Sequence, residues 1–143
     1  MERKHNIVVL VTSDMSGKPI ASGVSKTFSG DCRVKIKNLS DEVVTDYSGL
    51  NTGLVLKSLR KNLASVFAEY GERDSVEWYL ICGGACLNAC LVVNWFVPDI
   101  PNLKLLVWEK KVGHYIIYDL EGRMIENDCD RKSQYTEREE VNY

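Results

Sequence analysis

Few side chains in this sequence are placed to do chemistry, and the best of them surround one turn. Val76 to Phe96 reads as a buried strand, the pair Gly83-Gly84, and a buried helix. A strand that feeds a helix through glycine leaves the first backbone N–H groups of the helix free. Many α/β proteins bind phosphate or carboxylate at such a place. The competing reading is packing, because glycine also lets a strand and a helix approach closely. The turn lacks the lysine of a phosphate-binding loop and the fuller glycine spacing of a dinucleotide fold. No Asp, His, Ser or Lys lies at it to act on a bound group. Gly83 and Gly84 are therefore an anion-binding candidate without catalytic partners.

The five cysteines are Cys32, Cys82, Cys86, Cys90 and Cys129. Cys86 and Cys90 fall on one helix face, with Cys82 at the end of the preceding strand. Three thiolates could hold a metal, but zinc sites usually place ligand pairs on turns with a second pair nearby. Three of the five lie in apolar segments, where thiols behave as small hydrophobes. The expectation is buried, reduced and metal-free cysteines rather than a disulfide framework, and no cofactor.

Arg33, Lys35 and Lys37 alternate with Val34 and Ile36, so they form a cationic row on one strand face. Such a row could meet an acidic protein or a nucleic acid. As a solvated face it would also deter edge-to-edge aggregation. Lys57, Arg60 and Lys61 would extend it if the following helix lay beside that strand. His5 and His114 are the only histidines. A Cys–His nucleophile would need His114 beside an exposed thiol, and no serine sits in a glycine elbow. Trp78, Tyr79, Trp95, Trp108 and Tyr115 could stack on a base, but their positions on strands and an apolar helix favour the core.

The elements that would position these groups follow from periodicity. Asn6 to Thr12 is a continuous apolar run, hence a central strand. Ile20 to Phe28 reads as a thin second strand, and Cys32 to Leu39 as a third. Together they make a three-stranded antiparallel meander. Thr52 to Tyr70 is an amphipathic helix, with Asn51 or Thr52 as its cap and Gly71 as its stop. Val76 to Cys82 is a strand. Ala85 to Phe96 is a helix apolar on nearly every side, so its outer face needs a cover. Leu87, Leu91 and Trp95 are the expected self-association seam of a homodimer. Leu103 to Trp108 and Tyr115 to Leu120 are further strands, with a short segment at Arg123 to Ile125. The fold class is α/β, with α+β as the alternative: a single mixed sheet of about five or six strands with two main helices. Residues 1–126 form one domain, and 127–143 are a polar, frayed tail.

This order resembles the ribonuclease H-like fold. The residues that carry the likeness are Thr12-Ser13-Asp14-Met15-Ser16-Gly17, Leu50-Asn51-Thr52-Gly53, Tyr79 through Trp95, and Val107 through His114. The resemblance implies a metal-dependent nuclease or nucleic-acid-binding domain whose carboxylates hold paired Mg²⁺. The chain departs from that pattern where ligands would fall, at Leu54 or Val55 and at Gly83. Asp14 stands in place, and Asp128 or Asp130 could be a late acid. Isolated carboxylates do not hold a metal pair, so the resemblance implies an inactive site.

The composition is that of a globular domain: 143 residues, 45% apolar and 27% charged, with a net charge of −2. Near-neutrality argues against bulk attraction to nucleic acid or anionic membrane. No run is long enough for a membrane span or a signal peptide, so the expected location is intracellular, in the cytoplasm. The functional expectation is a non-catalytic binding protein. It would be an inhibitor or adaptor working through a protein surface or a small bound anion, with a protein partner and an optional homodimer. The alternatives are the nuclease reading and a small-nucleotide sensor using Gly83-Gly84.

Overall fold

The structure is a computed structural model that describes residues 5–12, 20–28, 30, 32–40, 49–82 and 86–125. Six strands and three α-helices follow one another as β1 (His5–Val11), α1 (Ile20–Thr27), β2 (Cys32–Asn38), α2 (Gly49–Tyr70), β3 (Glu77–Cys82), α3 (Cys86–Phe96), β4 (Lys104–Glu109), β5 (His114–Tyr118) and β6 (Met124–Ile125). The strands form a single mixed sheet in the order β2-β1-β3-β4-β5-β6. The first four are parallel, and β5 and β6 return antiparallel. The expected α/β class and single mixed sheet are present.

The expected meander is not. Ile20 to Thr27 is a helix, and β1 pairs with β2 in parallel. The reason lies in the period. Val24, Thr27 and Phe28 are buried with Gly23, while Ala21, Ser22, Ser25 and Lys26 are exposed. That is one face of a helix, not the alternation of a strand. Ser22, Gly23 and Ser25 lower the helix propensity of the segment and disguised it. The element order on which the ribonuclease H-like resemblance rests is thus strand–helix–strand over residues 5–38.

β1 is buried on both faces. Val8 and Leu10 join Trp78 and Leu80 of β3 under α2 and α3, which contribute Val55, Leu59, Leu63, Leu91, Val92 and Phe96. Ile7, Val9 and Val11 join Tyr79, Ile81, Leu106 and Tyr115 under α1, which contributes Val24. Connections to parallel strands are right-handed. The step from β1 to β2 runs one way across the sheet, and the steps to β3 and β4 run the other. The helices therefore divide between the two faces.

Two details fix the ends of the core. Gly71 follows α2 with φ +66° and its N–H reaches the Phe67 carbonyl at 3.1 Å, closing the helix as its sequence position requires. α2 begins three residues before Thr52, so Thr52 lies inside the helix and does not cap it. Trp78 is fully buried between the rings of Phe67 and Tyr70, and its Nε1–H donates to the Arg73 carbonyl at 2.9 Å.

The β4–β5 hairpin closes over α1. Val107 pairs with Cys82, the last residue of β3, so Trp108 and Glu109 project beyond that strand and pair with Tyr115 and His114. A Cβ at Gly23 would lie 2.7 Å from the Trp108 ring and 2.9 Å from the Tyr115 ring. Thr27 Oγ1 accepts the Tyr115 N–H at 2.9 Å and donates to the Gly23 carbonyl at 2.8 Å. One fully buried hydroxyl thus joins the helix to the backbone of β5. Burial there also raises the Tyr115 phenol above the usual tyrosine value.

Two substitutions test this joint. Gly23→Ala should lower the melting temperature, because overpacking of about 1–3 kcal/mol exceeds the helix-propensity gain of up to ~1 kcal/mol. A raised melting temperature would show that the hairpin yields. Thr27→Val should cost about 1–3 kcal/mol in urea unfolding, since it leaves the Tyr115 N–H buried without its partner.

Candidate functional site

The parallel order reverses direction between β1 and β3. The chain leaving β1 goes to α1 on one face, and the chain leaving β3 goes to α3 on the other. Two neighbouring strands whose exits diverge leave a crevice beyond their carboxyl ends. Open α/β sheets bind ligands at this switch point. The register sets its floor: Leu10 pairs with Leu80, and the same register places Thr12 level with Cys82.

The crevice has a buried polar brace. Asn88, one turn into α3, is fully buried. Its Nδ2 donates to the Thr12 carbonyl at 2.8 Å. Thr12 is itself buried at the end of β1. This bond crosses from the start of α3 to the exit of β1, so it fixes the two sides of the crevice relative to each other. Cys82 is half-buried at the end of β3, with its thiol donating to the Leu80 carbonyl at 3.9 Å. Gly83 and Gly84 occupy the connection between β3 and α3 and lie outside the described residues, as does Asp14. The sequence displayed Asn88 as a polar break in an apolar helix. It did not display the partner, which lies 76 positions earlier.

Among the described residues, the side chains at this edge are the Thr12 hydroxyl, the Cys82 thiol and the Asn88 amide. His114 is buried on β5, two strands from β3, and its Nδ1 is 2.9 Å from the Tyr115 carbonyl. A carbonyl only accepts, so Nδ1 is the donor in this contact. Among the described residues no group of three or more His, Cys, Asp or Glu is placed to hold a metal ion. At the positions where the ribonuclease H-like pattern needs ligands, Leu54 is exposed and Val55 is in the core. Asp128 and Asp130 lie outside the described residues.

The remaining expected site residues are dispersed. Arg33 and Lys35 are exposed on β2, the edge strand, and Lys37 bonds to Glu69 of α2 at 2.8 Å. The hydrogen bond to Glu69 holds the Lys37 ammonium above the usual lysine value, against some desolvation. Arg60 sits over the Phe96 ring of α3, 5.9 Å from its centroid, on the other side of α2. It does not extend the row.

Leu87, Leu91 and Trp95 do not form one outer seam. Leu91 is 1% exposed in the core and Leu87 packs against it, whereas Trp95 is 62% exposed. The correction is physical: α3 buries Asn88, Ala89, Leu91, Val92 and Phe96 and turns Cys90, Asn94 and Trp95 outward. Among the described side chains its outward stripe is narrow. Trp78, Tyr79 and Tyr115 are core, while Trp108 is 40% exposed.

The cysteine expectations also change. Cys90 is exposed and free, and the side chain of Cys86 lies outside the described residues. Cys32 is disulfide-bonded, to a partner outside the described residues. Among the described residues no helix is long and apolar enough to cross a membrane. The chain matches no protein-family model, no curated protein and no solved structure.

Asn88→Ala should lower stability by about 2 kcal/mol in urea unfolding, because it strips a buried carbonyl of its donor and opens a small void. Amide exchange at Thr12 and over the first turn of α3 should rise more than over α2. Uniform loosening would show that Asn88 is ordinary core and braces nothing.

Proposed function

We propose that this chain is a non-catalytic binding protein that takes a small phosphate- or carboxylate-bearing ligand at the crevice between β1 and β3. The observation that carries this reading is the divergence of those two strands' exits to opposite faces, braced by Asn88 on Thr12. The start of α3 lies at the same edge, and the macrodipole favours an anion there. Gly83-Gly84 in the intervening connection would let a ligand approach backbone closely. The described residues at this edge include a thiol, a hydroxyl and an amide, but no carboxylate or imidazole. A nucleotide fits this edge best because its phosphate matches backbone donors.

Isothermal titration calorimetry with a panel of nucleoside mono-, di- and triphosphates, alongside inorganic phosphate, tests the proposal. Saturable binding to at least one nucleotide is expected, with the nucleotide recovered intact. Gly84→Asp should weaken binding by tenfold or more, about 1.4 kcal/mol, by placing a carboxylate against the phosphate. Binding unaffected by Gly84→Asp, or none across the panel, would remove the crevice as an anion site.

A further inference from the structure

We propose that two copies of this chain pack through the face of β4, β5 and β6 on the α3 side of the sheet, with the two β5 strands antiparallel across a two-fold axis. This surface lies apart from the crevice and does not depend on it. On one face of β5, Tyr115 and Ile117 are buried under α1, in the cluster that holds Val24. Side chains alternate along a strand. His114, Ile116 and Tyr118 therefore belong to the other face, which α2 and α3 cover further along the sheet.

Register extends that second face into an apolar surface. Val107 pairs with Ile116, Leu105 with Tyr118, and Tyr118 with Met124. Leu105 packs against the core under α2 and α3, whereas Val107, Ile116, Tyr118 and Met124 belong to neither core cluster. Val107 is 38% exposed and Met124 48%, and Leu120 in the turn between β5 and β6 is 42% exposed. His114, at the start of β5 on the same face, is buried. The open part therefore runs from Val107 and Ile116 to the β5–β6 turn. An apolar patch with a charged rim is the usual form of a protein–protein contact.

Charge selects the partner and its orientation, because the two ends of β5 are of opposite sign. At the β4–β5 turn, Glu109, Lys110 and Lys111 are all exposed and leave a net positive charge. Glu109 Oε1 accepts the backbone N–H of Lys111 at 3.3 Å. At the β5–β6 turn, Asp119, Glu121 and Arg123 leave a net negative charge, with Arg123 bridging both carboxylates at 2.7 and 3.1 Å. A two-fold axis in the plane of the face, perpendicular to β5, lays the lysine turn of each copy on the acidic turn of the other. The apolar residues between the turns then meet each other. A two-fold interface makes this junction twice. An axis along β5 would instead set lysine against lysine, which is costly. The sequence after Ile125 is rich in charge and poor in apolar residues, so it complements this face less well than a second copy does.

Sedimentation equilibrium of the full chain without reductant, from micromolar to near-millimolar concentration, tests the proposal. A reversible monomer–dimer equilibrium is expected. Met124→Asp and Val107→Glu should each raise the dissociation constant at least tenfold. Both side chains are exposed, and a thermal melt followed by circular dichroism checks that the variants fold. If Val107→Glu melts early, Met124→Asp decides alone. A charge swap tests the orientation. Lys110→Glu with Lys111→Glu in one chain, and Glu121→Lys in another, should each weaken self-association. An equimolar mixture of these two chains should dimerise more tightly than either alone. A chain that stays monomeric throughout would overturn the proposal, whether its own C-terminal segment or a different protein covers the face. So would a dimer indifferent to Val107→Glu and Met124→Asp, or one lost only with Trp95→Asp, which would move the contact to α3. Charge variants of unchanged affinity, with no gain on mixing, would overturn the antiparallel arrangement.

Discussion

Residues Ile7 to Val11 meet no solvent on either side of the sheet, so the rest of the chain must supply a layer to each face. Every later element answers that constraint. α1 covers one face, and α2 with α3 covers the other. Because crossovers are right-handed, covering both faces forces the strand order to reverse beside β1. The reversal opens the crevice between β1 and β3. The crevice is thus a consequence of burying one strand completely, rather than a separate feature added to the fold.

Each layer is held by buried polar contacts as well as by apolar packing. Asn88 ties α3 to the exit of β1, and the Thr27 hydroxyl ties α1 to β5. Apolar contacts are tolerant of small shifts, whereas a lost buried hydrogen bond costs its full desolvation penalty. These two bonds therefore help set where α1 and α3 sit, while Asn62 of α2 donates to the Leu39 carbonyl. They also explain the close approach at Gly23, where α1 must lie flush against Trp108 and Tyr115 for Thr27 to reach the β5 backbone.

Much of the fold was legible in the sequence because it follows local period. The apolar run of β1, the stripe Val55-Leu59-Leu63-Val66 of α2 and the alternation of β2 all appear where their patterns place them. α1 was missed because glycine and serine weaken a helical pattern that the spacing of Ile20, Val24 and Phe28 still carried. The parallel pairing of β1 with β2 depended on that helix, so one local error changed the topology. The inward side of α3 was misread because Cys90 and Trp95 are apolar in type yet exposed. Gly83-Gly84 falls in sequence between β3 and α3, at the carboxyl ends of the strands. Its meaning rests on strand order, which no local window contains.

The two proposed surfaces divide the molecule by chemistry. The crevice presents backbone donors at the carboxyl ends of the strands, suited to a small anion. The face of β4, β5 and β6 presents apolar side chains between turns of opposite charge, suited to a second copy. The crevice is the more central because the strand order reverses at it. Its most direct test is backbone amide chemical-shift mapping during titration with a nucleoside triphosphate. The expected result is saturable shifts concentrated at Thr12, Cys82 and the first turn of α3 through Asn88, with β6 unmoved. Shifts confined to other surfaces, or none at saturating nucleotide, would contradict it.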